Sequence, residues 1–146
     1  MSDLEDCLQQ YLETALWSST DSDGNPLDNV FDESGVDAAT KKEMLRDCSK
    51  FMQKNKDLLD ESGLSASDIG HNFWLSRNGH GAGFFDKGLG EVGKKLQKAA
   101  KDFGSYDLIV GDDGYIHGSG GHHVPDHYSQ ASLLDVLASK LEKLKP

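Results

Sequence analysis

Cysteine appears only twice in the 146 residues and proline three times. Two thiols, Cys7 and Cys48, with no Cys-x-x-Cys pair, exclude a thiol zinc finger, a thioredoxin-like centre and a disulfide framework. Both fall among apolar residues at helical spacing, which predicts buried free thiols that approach one another if their helices pack antiparallel. No apolar run nears the roughly 18 residues of a membrane span. The opening MSDLEDC is acidic where a secretion leader is basic, so a soluble, cytoplasmic protein is expected. The motifs G-x-S-x-G, H-E-x-x-H and the P-loop are missing, and Gly79-His80-Gly81-Ala82-Gly83 is too short to bind a dinucleotide. No cofactor is expected.

Positive charge is missing from one region. The chain carries 15 Lys and Arg against 25 Asp and Glu, a net charge of -10. Residues 1–40 contain ten of those acids and no Lys or Arg, so the whole excess sits there while the remainder balances. A field of one sign repels nucleic acid and anionic lipid and speeds encounter with basic protein surfaces. Direct nucleic-acid or membrane binding is therefore not expected. Asp21, Asp23, Asp28, Asp32 and Glu33 become candidate contacts for a basic partner, with a merely solubilising acidic segment as the plainer alternative.

The length suits one domain with a real core. Ser2 with Glu5 forms a capping-box pattern, and Leu4, Leu8, Tyr11, Leu12 and Ala15 follow at helical spacing, predicting a helix through about Trp17. Turn formers from Ser18 to Gly35 predict a long acidic loop. Thr40 with Glu43 opens a second predicted helix, its stripe running from Met44 to Leu59 and its end near Gly63. The period then changes to two, and Asn78-Gly79 stands between apolar runs, so strands are predicted near 72–77 and 80–85 around a tight turn. A third helix is expected from Gly90 or Glu91 to a cap at Gly104. A second hairpin follows from YDLIV and YIHG, with Asp113-Gly114 in its turn.

The predicted architecture is α+β: a small antiparallel sheet from two β-hairpins with about four amphipathic helices. An acidic α+β domain over 1–118 would lead through a Gly/His-rich linker, 119–130, to a C-terminal amphipathic helix, 131–146. There Leu133, Leu134, Leu137, Leu141 and Leu144 form a stripe suited to packing on the domain or to pairing as a homodimer.

Three constellations bear on chemistry. Asp21, Asp23, Asn25 and Asp32 partly match a calcium loop, but Pro26 replaces the glycine that loop needs, which favours a hydrogen-bonded Asx turn. His117, His122, His123 and His127, with Asp126 nearby, form only a weak transition-metal set, because their glycine-rich setting fixes no geometry. His71, Trp74, Arg77, Asn78 and His80 cluster around the expected hairpin tip. There they would bind an anion or serve as acid and base, unless Arg77 and His80 simply pair with Asp86 or the acidic loop.

The blocks LETALWSSTDSDGNPLD at 12–28 and GHNFWLSRNGHGAGFFDKGLGEVGKKLQKAAKDFGSYDLIVGDDGYIH at 70–117 resemble a family of small, functionally unassigned proteins of bacteriophages and mobile elements. WSS, HNFWLSRNGHGAGF and VGDDG occur there in the same order at similar spacing, while the tail after Gly118 has no counterpart. The resemblance implies a phage or plasmid origin, the host cytoplasm as setting and action on a host protein; it brings no catalytic residues. The expectation is thus a non-enzymatic accessory protein that binds a basic host or phage protein, such as a defence nuclease, by imitating nucleic acid. The alternatives are a small enzyme or ligand-binding domain built on the 71–80 cluster, and a virion or assembly component.

Overall fold

The computed structural model describes residues 3–21, 23–79 and 82–120. The Ser2 cap, His80, the 119–130 linker beyond Gly120 and the Leu133–Leu144 stripe lie outside them. Helix α1 spans Asp3–Ser18, α2 Ala38–Lys54, α3 Lys56–Ser62, α4 Ala66–Arg77 and α5 Glu91–Lys101. Strands β1, Tyr106–Val110, and β2, Ile116–Gly120, pair antiparallel with Tyr106 opposite Gly120 and Val110 opposite Ile116. The described residues are mostly helical, with one two-stranded hairpin. No helix among the described residues is long and apolar enough to cross a membrane.

Helix α1 buries the stripe Cys7, Tyr11, Leu12 and Ala15. After it, the acidic segment is largely irregular, with short 3-10 turns at Leu27–Asn29 and Glu33–Gly35. Helix α2 starts earlier than the capping pattern predicted. Asp37, not Thr40, accepts hydrogen bonds from the amides of Ala39 and Thr40. The Thr40 hydroxyl instead accepts from the Gly118 amide, tying β2 to this helix. The expected single helix to Gly63 is broken at Asn55, which separates α2 from α3; Gly63 then takes the left-handed conformation that stops α3.

The predicted hairpin over 72–85 is not there. Its first strand is α4, capped by Ser65 on the Asp68 amide, and the described part of its second, from residue 82, is a loop with a 3-10 turn at Phe84–Asp86. The physical reason is burial on all sides: Ile69, Asn72, Phe73, Trp74, Leu75, Ser76 and Arg77 are all inside. A helix enclosed all round has no polar face, so its 3.6-residue period is erased and aromatics at neighbouring positions mimic alternation. Asn78-Gly79 acts as the helix stop, Gly79 taking a φ of 66°. Only the later hairpin forms, closed by a bond from the Gly111 amide to the Tyr115 carbonyl.

The core forms where α4 lies against α1. Gly70 is essential to that approach, since a Cβ there would run into the carbonyl oxygen of Cys7. Rings from α1, α2, α4 and the turn after α5 fill the centre. Phe73 stacks on Phe51 at 4.2 Å, meets Phe103 edge-on at 5.1 Å and lies 5.2 Å from Tyr11. Trp74 meets Tyr11 edge-on at 5.3 Å. Cys7 and Cys48 are free and buried. Burial, and then a hydrogen bond to the Cys7 thiol, push the Cys48 thiol well above its ordinary pKa, so the helices do bring the two together.

Candidate functional site

Arg77 is 6 % exposed and belongs to the core. Its Nη1 donates to Asp47 Oδ2 at 2.8 Å and to the Tyr11 hydroxyl at 2.9 Å. Nε donates to the Gly104 carbonyl at 2.7 Å and Nη2 to the Phe103 carbonyl at 3.0 Å, just beyond the end of α5. The expected pairing with Asp86 or the acidic loop is replaced by Asp47 on α2, because α4 points the side chain inward. Burial opposes the guanidinium charge, yet Tyr11 and Asp47 outweigh it and hold the pKa above the ordinary value.

The other members of the 71–80 group are likewise bound into the fold. Trp74, 1 % exposed, donates to the Ser18 hydroxyl at 2.8 Å. Asn78 closes the helix, its side-chain amide donating to the Trp74 carbonyl while its oxygen accepts from the Tyr106 amide at 2.8 Å. His71 sits half-buried with Nδ1 2.9 Å from the Thr14 hydroxyl and its ring 6.2 Å from that of Trp17. Burial, and then the charge of Lys87, lower its pKa. His71, Trp74 and Arg77 therefore follow one another along α4 as packing and bonding groups and form no open polar pocket among the described residues.

His117 projects from β2, with Nε2 3.0 Å from both carboxylate oxygens of Asp113 and Nδ1 3.8 Å from Asp37. The hydrogen bond to Asp113 raises its pKa. Among the described residues no three His, Cys, Asp or Glu side chains are grouped to hold a metal ion. His122, His123 and His127 lie outside those residues.

The calcium-like positions resolve into an Asx turn. Asp21 Oδ1 accepts from the amides of Asp23 and Asn25, at 2.9 and 3.0 Å. Asp21 and Asp23 stand at that turn and do not line the groove that the other candidate contacts share.

Asp28, Asp32 and Glu33 do come together. They rim a surface groove of about 420 Å³ between α1 and the 3-10 turns, and Glu13 of α1 completes the rim. Its apolar lining is Leu16, Trp17 and Phe31, with Trp17 47 % exposed. Glu13 and Trp17 share a face because they are four residues apart on α1. Gln9 donates to one Glu13 oxygen, and Ser34 donates its amide and hydroxyl to Asp32 Oδ1 at 2.9 and 2.5 Å. Those Ser34 bonds lower the pKa of this exposed carboxylate. No Lys or Arg among the described residues lies within ion-pair distance of the four rim carboxylates. Sequence reasoning missed Glu13, Trp17 and Phe31 as lining groups; the i, i+4 spacing of Glu13 and Trp17 was the one available signal.

No family model, curated protein or solved structure matches this chain.

Proposed function

We propose that this chain is a non-enzymatic accessory protein of a bacteriophage or mobile element that acts in the host cytoplasm by binding a basic protein. The observation that supports this reading is the convergence of Glu13, Asp28, Asp32 and Glu33 on one groove with no Lys or Arg ion-paired to them among the described residues, Lys41 acting on Asp32 only at longer range. Four carboxylates held together outside the core repel one another, and a basic surface relieves that repulsion. All four are exposed, and none packs in the core. Asp3 lies at the other end of α1 and Asp37 faces His117, so the acidic segment is not one uniform surface. The binding face is the part that carries the groove. A nucleic-acid-binding protein, such as a defence nuclease, is the natural target, because its basic cleft already accommodates phosphates.

The experiment is competition. Purified DNA-binding proteins, including restriction endonucleases and histone-like proteins, are loaded with fluorescent duplex DNA and titrated with this chain. Displacement that weakens steeply as salt rises from 50 to about 300 mM supports the reading. No displacement from any of them at low salt, or displacement indifferent to salt, contradicts it.

A further inference from the structure

We infer that the groove is built for an arginine-bearing, amphipathic segment of the partner, with the guanidinium laid against the indole of Trp17 and paired with the rim carboxylates. The inference rests on the reading above and narrows it to the chemistry of the occupant.

A solvated acidic patch has no use for an apolar lining, yet here Trp17, 47 % exposed, contributes part of its surface to the groove beside Glu13 and the Asp32 turn. Phe31, half-buried, extends the apolar surface to the opposite wall. Such a site asks its occupant for two things at once: apolar side chains for the floor and positive charge for the rim. Lysine and arginine both supply the charge. Arginine alone adds a planar, weakly hydrated cation that stacks on an aromatic ring and presents a two-pronged donor edge to carboxylates. Glu13 and Asp32 each have one oxygen already engaged by Gln9 or Ser34, which fixes their orientation and leaves the second oxygen for the guanidinium. The volume, about 420 Å³, accommodates more than one side chain, which matches a segment better than an isolated cation.

The test uses the full chain and two synthetic helical peptides with the same leucine stripe, one carrying arginines on the polar face and the other lysines. Calorimetry gives the two affinities. Trp17 emission reports occupancy, since Trp74 is buried and fixed to Ser18. The arginine peptide is expected to bind on the order of fivefold tighter than the lysine peptide. Trp17→Leu brings the ratio close to one while leaving salt-dependent binding of both, and Trp17→Phe keeps part of it. Equal affinities in the unaltered chain, or a ratio unchanged in Trp17→Leu, overturn the arginine inference while basic proteins still bind. If neither peptide nor any basic protein binds, the functional reading falls with it.

Discussion

Arg77 and Asp47 meet at 2.8 Å with both side chains almost entirely enclosed, joining the last turn of α4 to the middle of α2. The pair sits within reach of Tyr11 on α1 and the carbonyls that follow α5, so one guanidinium links four helices. The rings of Phe73, Phe103 and Tyr106, with centroids 5.3–5.7 Å from its Cζ, surround the charge. A buried ion pair is expensive to form and more expensive to halve. Arg77→Met leaves Asp47 inside without its main cation and strands two carbonyl oxygens. Chemical denaturation is expected to show a loss of about 3–5 kcal/mol. A loss below about 1 kcal/mol contradicts this placement of Arg77.

Gly70 carries the closest backbone approach in the core. Because the obstacle to a Cβ is the Cys7 carbonyl and not a movable side chain, Gly70→Ala must push α1 and α4 apart. The expected cost is about 3 kcal/mol or more, read from the denaturation midpoint. Cys7→Ser leaves that backbone oxygen in place, so it will not rescue the variant.

Asn72 offers the opposite case. It is buried, its amide nitrogen donates to the Asp68 carbonyl, and its Oδ1 has no hydrogen-bond partner among the described residues. An unsatisfied carbonyl in the interior costs about 1–3 kcal/mol. Asn72→Leu, similar in shape, is expected to be neutral or to stabilise by about 1 kcal/mol. Marked destabilisation would show that Oδ1 is engaged.

The two histidines of known environment pull stability in opposite directions with pH. His117, whose pKa the Asp113 bond raises, contributes stability that is full below about pH 6.5 and fades as pH climbs through its folded value. His71, lowered by burial, takes up a proton more readily in the unfolded chain, so its contribution fades as pH falls below about 6.5. Melting temperatures between pH 5.5 and 8.5 test this. His117→Asn should remove a decline on the alkaline side, and His71→Asn a decline on the acidic side. Identical profiles for both variants and the parent contradict the assignment.

How much of this was visible in the sequence depended on whether an element kept a solvent face. Helices α1 and α5 and the 106–120 hairpin have one, and their apolar stripes and turn residues placed them within a few positions. Helix α4 has none over residues 72–77, so Phe73, Trp74 and Leu75 read as alternation, and the Asn78-Gly79 stop read as a hairpin turn. Arg77 then seemed to lie at an exposed tip, because its partner Asp47 stands thirty positions away with no local signal. The charge asymmetry was legible, but its division was not. Only folding puts Phe31 and the Asp32 turn across from Glu13 and Trp17, and sends Asp37 to His117.

The central claim is that the groove carboxylates, not the net charge, recognise a basic partner. Calorimetry of a DNA-binding protein displaced in the competition assay compares two charge-matched variants. One is Glu13→Gln, Asp28→Asn, Asp32→Asn and Glu33→Gln; the other neutralises Asp57, Glu61, Asp107 and Asp112, which are exposed elsewhere. The account predicts that the first loses on the order of tenfold or more in affinity while the second stays within about twofold of the parent. Equal losses in the two would contradict it.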